Sequence, residues 1–496
     1  MIAAHHLPVL QVVLPLVAAP LAVLCPGARA PWMAAVFVSL AAFAVAVTLA
    51  LQVAATGTIA YELGGWPVPY GIGLHIDNFS SLMLLLITGA SLAALLHGKP
   101  VIDKEVQSRP VSLFYGAWLL AVAGLAGMVI TGDAFNVFVF MEISSLATYV
   151  LIAAGPTRTA LSAVFKYIIM GSIGAMFYLI GVGLVYMMTG TLNMADMTER
   201  LHGVDDVVPV LAAAGFITVG LLLKAAIFPL HAWMPNAYAA APSTVAVFLA
   251  ACSTKVALYV LIRFDLGIFQ PSLEGHDIQF SAFLMPFALV AMIAGSLIAI
   301  FEKDLKRLLA FSSVAQLGYI VLGASLLTAA GMSAGILHLF NHALMKAALF
   351  LAVGSLVYRY GSAKLADLAG AGRTMPWTMA AFTLAALSLV GVPLTAGFIS
   401  KWYLVLAAME EGTFGWFLIA VILASSLLAV IYVWRVIETA YFRPAPEGAP
   451  AVKEAPWYLL APTWALAGLN IYFGLAANAP YGLAARAAAD LLGGGA

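Results

Sequence analysis

Seven ionisable side chains lie inside long apolar stretches of the sequence, where their chemistry would be the transfer of protons. They are one acid, four lysines and two histidines: Glu142, Lys224, Lys255, His338, His342, Lys346 and Lys401. A charge near the centre of a membrane costs about 3 kcal/mol or more, and such residues usually mark ion or proton paths. We therefore predict that these side chains form a proton path.

Glu142 and Lys224 could act together as a proton switch. Burial disfavours the charged form of a lysine, whereas a neighbouring carboxylate favours it. If Glu142 approaches Lys224, the lysine keeps its proton; if the carboxylate moves away, the lysine releases it. The alternative interpretation is a static buried ion pair that only fixes the packing of two helices.

The residues His338, His342 and Lys346 are spaced four apart, which places them on one face of a helix. An imidazole titrates near neutral pH and has two ring nitrogens, so the two histidines can relay a proton. A zinc site would need further ligands, and the segment lacks the glutamate of a metalloprotease pattern. We expect no metal here.

The composition shows which kind of protein must position these groups. Of the 496 residues, 64% are apolar and 9% are charged, with 22 basic and 22 acidic residues. Soluble domains are about 45–50% apolar and about 25% charged. These values exclude a globular soluble enzyme, a disordered chain and a disulfide scaffold, and the zero net charge without a basic stripe excludes a nucleic-acid binder. Continuous apolar runs also exclude an outer-membrane barrel.

The fold class predicted is an all-α polytopic membrane protein with about fourteen transmembrane helices. A helix needs about 20 apolar residues to cross a hydrocarbon layer of roughly 30 Å. Such runs lie near residues 7–25, 32–55, 77–97, 111–131, 134–154, 161–188, 207–230, 242–264, 278–301, 307–329, 332–358, 377–408, 414–439 and 457–478. Helices 7 and 12 should be broken, at Pro229 and around Gly391 to Pro393.

Basic residues in the predicted loops support this count. Thirteen lysines and arginines fall in loops after odd-numbered helices, and only Arg200 and Arg486 fall on the opposite side. Because basic loops face the cytoplasm, both termini should lie on the non-cytoplasmic side.

The other seven basic residues lie within or at the ends of helices: Lys166, Lys224, Lys255, Arg263, Lys346, Lys401 and Arg435. Arg263 lies at a helix end, where its side chain should extend to the polar interface, and the other six should lie deeper. Three pairs share nearly the same interval: Lys166 and Lys346 (180 residues), Lys224 and Lys401 (177), Lys255 and Arg435 (180).

This interval predicts a duplicated unit of five helices, comprising helices 4–8 and helices 9–13. Because five is odd, the two copies must be inserted in opposite orientations, as in many transporters. The predicted segments are 1–108 with helices 1–3, 109–266 with the first repeat, 267–440 with the inverted second repeat, and 441–496 with helix 14 and the tail.

Five motifs give the sequence a family resemblance along essentially its whole length. They are TGDAFNVFVFMEI at 131–143, LKAAIFPLHAWMP at 223–235, APSTV at 241–245, HLFNHALMK at 338–346 and GVPLTAGFISKW at 391–402. The chain resembles the antiporter-like membrane subunits shared by respiratory complex I and the multisubunit Mrp cation/proton antiporters, and most closely the D-type subunit of the Mrp antiporters.

The resemblance implies a role for several residues. It implies that Glu142 is the helix-5 glutamate, Lys224 its helix-7 lysine partner, Lys255 the connecting residue on helix 8, His338 and His342 the relay histidines on helix 11, and Lys401 the helix-12 lysine of the exit half-channel.

We therefore expect a proton-translocating subunit of a multisubunit Na⁺ or K⁺/proton antiporter, without catalytic chemistry of its own. The alternatives are a proton-pumping subunit of a complex I or a membrane-bound hydrogenase, and a scaffold whose polar axis is vestigial. Expected partners are other membrane subunits, protons, Na⁺ or K⁺ and the lipid bilayer, with no nucleic acid and no cofactor. The expected location is the bacterial inner membrane.

Overall fold

The computed structural model describes residues 5–106, 110–272, 280–445 and 452–493. Thirteen helices in these ranges are long and apolar enough to cross a membrane, and two shorter apolar helices in succession supply one more crossing. The structure thus confirms the all-α polytopic class and the expected number of crossings. The duplication and its segment boundaries remain predictions.

We number the crossings α1 to α14 and the helix that follows them α15. Their bounds are α1 Leu7–Leu24, α2 Arg29–Thr56, α3 Asn78–Glu105, α4 Val111–Ile130, α5 Ala134–Ala153, α6 Thr159–Thr189, α7 Val207–Ala225, α8 Ser243–Ser272, α9 Phe280–Phe301, α10 Leu305–Ser325, α11 Ala329–Tyr360, α12a Pro376–Val390, α12b Ala396–Met409, α13 Gly412–Ile437, α14 Trp457–Leu475 and α15 Asn478–Leu491.

The connections contain short elements that the sequence did not predict. A two-stranded antiparallel hairpin lies between α2 and α3, with strands β1 Ile59–Glu62 and β2 Gly73–Ile76. Short helical segments occupy Leu63–Gly65, Met194–Leu201, Met234–Ala240, Leu365–Leu368 and Ala371–Thr374. The tail also forms a helix, α15, which packs against α3 and α11.

Three helices form the centre of the bundle. Helices α8, α10 and α11 are each 94% buried in their most apolar stretch, whereas the values for α1, α2, α6 and α14 are 33%, 28%, 39% and 22%. Helix α8 packs against α3, α4, α7 and α11, so it connects the two halves of the chain. Because these central helices are buried on nearly all sides, protein encloses the polar side chains that they carry.

The bundle has two distinct ends. At one, which we call the basic end, Lys104 donates to the Tyr358 carbonyl and Arg359 to the Glu454 carbonyl. At the other, which we call the opposite end, the side chain of Asn78 donates to Asp490. The segregation of basic loops in the sequence therefore corresponds to one physical end of the molecule.

Three basic residues differ from their predicted positions. Lys306, predicted in a loop, lies buried in the first turn of α10 and donates to the Ala241 carbonyl at 3.1 Å. Arg435, predicted to lie deep, reaches the Glu302 carbonyl at the basic end. Lys166, also predicted to lie deep, is exposed on the outer face of α6. Arg263, predicted to extend to the polar interface, pairs with Asp77, the residue that precedes α3 at the opposite end. Spacing alone could not reveal these carbonyl and carboxylate partners.

Both predicted helix breaks are confirmed. Helix α7 ends at Ala225, where Ala226 adopts a left-handed backbone (φ 55°), and helical structure resumes at Met234. Helix α12a ends at Val390, where Gly391 has φ 93°, and α12b starts at Ala396. A broken helix leaves carbonyl groups without partners along the chain, and inside a membrane protein side chains must supply them.

Candidate functional site: a buried polar axis

The axis begins at the first helix break with an ion pair. The Lys224 ammonium lies 3.2 Å from Oε1 of Glu142 and 2.7 Å from the Ser145 hydroxyl. Helix α5 presents Glu142 and Ser145 on one face because they are three residues apart, and α7 presents Lys224 in its last turn. The expected contact of Glu142 with Lys224 is present; its role in proton transfer remains a prediction.

The two members of this pair differ in exposure. The Lys224 side chain is 6% exposed, whereas that of Glu142 is 28% exposed. The carboxylate can therefore be reached from outside the chain, while the ammonium faces inward. Movement of the Glu142 side chain alone can therefore change the distance between the carboxylate and the ammonium.

A small cavity extends from Lys224 toward α8. It has a volume of about 20 Å³, and Ser145, Tyr167, Lys224 and Ser253 contribute to its wall. About 10–15 Å³ suffices for one water molecule when polar partners are present. The cavity can thus hold a water between Lys224 and the turn of α8 that carries the next lysine.

Tyr167 and Trp233 make this wall rigid. Their rings stack at a centroid distance of 3.9 Å, and the Trp233 indole donates to the Leu223 carbonyl at 2.9 Å. Leu223 precedes Lys224 in the last turn of α7. The Leu223 carbonyl, which lies beside the helix break, therefore fixes the position of Trp233 in the cavity wall.

Lys255 lies at the centre of α8 and is fully buried. The helix widens to a π-helical turn over Leu249–Ser253, immediately before this lysine, and the Lys255 ammonium donates to the Ala250 carbonyl in that turn. A π-helical turn is rare and occurs frequently at functional sites.

The two histidines lie side by side on α11. Their rings are parallel with centroids 6.1 Å apart, and both residues are fully buried. His338 bridges the Ser400 hydroxyl at 2.9 Å and the Gln316 side-chain carbonyl at 3.0 Å. Neither nitrogen of His342 forms a hydrogen bond within the described part of the chain. His342 therefore has one nitrogen free to accept a proton and one N–H free to donate a proton.

Lys346 follows on the same face of α11. Its ammonium donates to the Ser312 hydroxyl at 2.5 Å and to the Leu309 carbonyl at 2.7 Å, both on α10. Lys255, Lys346 and Lys401 all interact electrostatically with His342. The predicted spacing of four residues thus places His338, His342 and Lys346 in one buried cluster.

Lys401 ends the axis at the second helix break. Its ammonium donates to the carbonyls of Leu389 and Val390, at 3.1 Å and 3.0 Å, and to the Ser426 hydroxyl at 3.1 Å. It also lies 4.7 Å from the centre of the Tyr319 ring. The carbonyls that α12a leaves free at its end therefore hold the lysine of α12b.

The charges along the axis are not balanced. Among the described residues, Lys224 is the one axis lysine with a carboxylate within ion-pair distance. Lys255, Lys346 and Lys401 are held by carbonyls and hydroxyls instead. Because like charges disfavour one another in a poorly solvated interior, protonation of one of these groups disfavours protonation of its neighbours.

Sequence reasoning missed the neutral members of the axis, namely Ser145, Ser312, Gln316, Tyr319, Ser400 and Ser426. A usable signal exists for some of them, since Ser145 follows Glu142 by three residues and Ser400 adjoins Lys401. Gln316, Tyr319 and Ser426 come from other helices, so only the tertiary structure shows their part.

In the described part of the chain, thirteen long apolar helices and one broken helix surround a largely buried row of ionisable side chains, which is the architecture of a multi-pass membrane protein. The chain belongs to the NADH:quinone oxidoreductase/Mrp antiporter transmembrane family, whose profile matches residues 131–429. All seven predicted site residues lie within the matched segment.

Relatives of two kinds resemble the chain. It is 43% identical to the N-type subunit of the NADH-quinone oxidoreductase of Desulforudis audaxviator, over 91% of this chain and 90% of that protein. It is 31% identical to the D-type subunit of the Na⁺/H⁺ antiporter of Alkalihalophilus pseudofirmus, over 88% and 86%. A chain of the Mrp complex from Dietzia sp. superposes with a TM-score of 0.91 at 27% identity, over 100% and 98% of the two chains.

Proposed function

We propose that this chain is a proton-translocating membrane subunit of a multisubunit complex that exchanges Na⁺ or K⁺ for protons, with a role like that of the D-type antiporter subunits. The buried axis between the two helix breaks carries this proposal. No structural requirement calls for two histidines and, among the described residues, three lysines without a carboxylate partner in an apolar interior, since a charged group is costly to bury there.

From the positions of these groups along the axis we infer the following order of transfer. Separation of Glu142 from Lys224 frees the lysine proton, which crosses the adjacent small cavity to Lys255. From Lys255 the proton passes to His342 and His338, and then through Ser400 toward Lys401. Lys346 lies beside this route, and its positive charge disfavours protonation of the neighbouring His342.

A redox-driven proton pump is the second candidate, as in a complex I or a membrane-bound hydrogenase. The 43% identity to a subunit of an NADH-quinone oxidoreductase favours it. In that case the same axis moves protons, and electron transfer in other subunits supplies the free energy. The two candidates therefore share the axis and differ in the assembly to which it belongs.

The proposed location is a bacterial inner membrane, with the basic end in the cytoplasm and both termini on the other side. The segregation of lysines and arginines supports this orientation. Other membrane subunits are the proposed partners, since the relatives named above include subunits of multisubunit assemblies.

The substitution Lys224→Ala in the complete complex tests the proposal. Removal of a group that must bind and release the proton should reduce ΔpH-driven cation exchange by about 100-fold or more in membrane vesicles. Lys166→Ala is the matched control, because Lys166 is also a lysine in a membrane helix but faces outward from the axis. Co-purification of partner subunits must be unchanged in both variants; normal exchange in an assembled Lys224→Ala complex would refute the proposed path.

The purified complex in proteoliposomes distinguishes the two candidates. An imposed pH gradient should drive uptake of radioactive Na⁺ or of Rb⁺ as a K⁺ substitute if the complex is an antiporter. Proton uptake that begins only with an electron donor and acceptor would instead establish the redox-driven pump.

A further inference from the structure

A large cavity opens at the opposite end of the bundle, above the first helix break. Its volume is about 240 Å³, and we call it the vestibule. Its polar wall includes His75 of strand β2, Asp77 and Arg263. Its inner wall is apolar and includes Met128, Val137 and Val260, which lie within α4, α5 and α8.

The charges at the vestibule compensate each other. Arg263 pairs with Asp77, and its Nε also donates to the Tyr259 hydroxyl at 3.0 Å. Burial alone would raise the pKa of Asp77, but Arg263 and the hydrogen bonds from Ser80 outweigh it and lower that pKa. Asp77 is therefore ionised at neutral pH and cancels the charge of Arg263, so the vestibule does not repel a hydrated proton.

The small cavity at Lys224 lies directly below the vestibule along the same three helices. Helix α4 lines the vestibule with Met128 and the small cavity with Met128 and Leu125. Helix α5 contributes Val137 to the vestibule and Met141 to the small cavity. Helix α8 contributes Val260 to the vestibule and Ala257 to the small cavity. Three or four residues along a helix correspond to about 5–6 Å, so one helical turn separates the two cavities.

Met128 is the residue that lines both cavities. Its sulfur lies 3.9 Å from the hydroxyl of Ser144, which also lines the small cavity. Methionine is unbranched with three rotatable side-chain bonds, so its end can leave this position without movement of the backbone.

The backbone around Met128 is fixed by close packing. A Cβ on Gly124 would lie 2.6 Å from the Ser144 nitrogen, and a Cβ on Gly127 would lie 2.4 Å from the Phe140 ring. Helices α4 and α5 are thus in close contact over the turn that precedes Met128. The barrier between the cavities can therefore open by side-chain rotation and not by separation of the helices.

From this arrangement we infer that Met128 is a gate on a water path from the opposite end of the bundle to the Glu142–Lys224 pair. The inference rests on the proposed proton path and adds its point of access and the residue that controls it. When Met128 rotates away, water in the vestibule and water beside Lys224 form one column. When it returns, Lys224 is closed to the opposite end and remains open to the axis.

Cysteine accessibility tests the gate without reference to transport. The background is a full complex in which Cys25 and Cys252 are replaced by serine, and Val260→Cys and Ala257→Cys are introduced singly. A membrane-impermeant methanethiosulfonate, added on the side of the opposite end, should modify Cys at 260. It should modify Cys at 257 about tenfold more slowly, because a close-packed side chain lies above it. With Met128→Ala also present, the two rates should become similar.

Two results would overturn the gate. One is modification of Cys at 260 from the basic end alone, and the other is a rate at 257 that does not depend on residue 128. Absence of transport in the unaltered complex would refute the proposed function, but it would leave these labelling rates unaffected. The two failures are therefore distinguishable.

Proton flux gives an independent measurement. Met128→Ala should accelerate the decay of an imposed pH gradient several-fold in vesicles that hold the complex, and Met128→Trp should slow cation exchange several-fold with assembly intact. The matched control is Met83→Ala, because Met83 is equally buried on α3 and lines neither cavity. A leak of equal size from Met83→Ala, or no leak from Met128→Ala, would contradict the gate.

Discussion

The two helix breaks hold a buried lysine in different ways. At the first, Lys224 is bound by the carboxylate of Glu142 at 3.2 Å and by a serine hydroxyl. At the second, Lys401 is bound by two backbone carbonyls and a serine hydroxyl, with no ion pair among the described residues. The same element, a lysine at an interrupted helix, is thus stabilised once by a full charge and once by dipoles.

This contrast indicates which end of the axis can change its state. A carboxylate can move on its side chain or take up a proton, and either change removes most of the stabilisation of the ammonium. Backbone carbonyls cannot take up a proton and are fixed by the helix that ends there. The first break is therefore suited to switching, while the second offers a constant site where a proton can wait.

The substitution Glu142→Gln should abolish the contrast between the two breaks and have the largest effect. Glutamine keeps the shape of glutamate but cannot carry the negative charge, so both breaks would then hold lysine by dipoles alone. Proton-coupled transport in vesicles should fall by about 100-fold or more, within the range for loss of a proton-transfer group. Glu410→Gln, at an exposed acid after α12b, is the control and should transport normally. Transport that survives Glu142→Gln would mean that the first break does not switch.

The substitution Asp77→Asn should have a smaller effect, on stability. It leaves Arg263 partly buried without its partner, at a cost of about 1–3 kcal/mol because both side chains keep some solvent. Arg263 lowers the pKa of Asp77 below its usual value of 3.8, so the pair stabilises the fold above that pH and loses this contribution as the pH falls through the lowered value. Thermal unfolding should show Asp77→Asn less stable than the natural chain at neutral pH, with a difference that shrinks in strong acid. A difference independent of pH would exclude the charge as its cause.

The sequence predicted those features that depend on composition and on spacing along one helix. The number of crossings follows from apolar length, the two breaks from Pro229 and Gly391, and the cluster on α11 from the four-residue spacing of His338, His342 and Lys346. Each of these is a local property of the chain, so no tertiary information is required.

What the sequence could not give depends on contacts between distant segments. The equal intervals suggested that Lys166 and Lys346 have similar surroundings, yet Lys166 is exposed and Lys346 is fully buried. The difference arises because α6 lies at the outside of the bundle and α11 at its centre. For the same reason the vestibule, which is built from β2, α4, α5 and α8, has no signature in any single segment.

The smallest effects should come from the residues that follow the two interrupted helices. Ala226 and Gly391 both have positive φ, at 55° and 93°, a region that costs a residue with a Cβ about 1–2 kcal/mol. A Cβ at 391 would also lie 3.1 Å from Cδ of Lys401.

Gly391→Ala should therefore lower the melting temperature. Ala226→Gly should raise it or leave it unchanged, since relief of strain is offset by the greater freedom of glycine in the unfolded chain. Thermal unfolding of both variants in the same detergent measures this. A loss of stability from Ala226→Gly as large as that from Gly391→Ala would show that the first break needs its methyl group, and that the two breaks differ in packing as well as in charge.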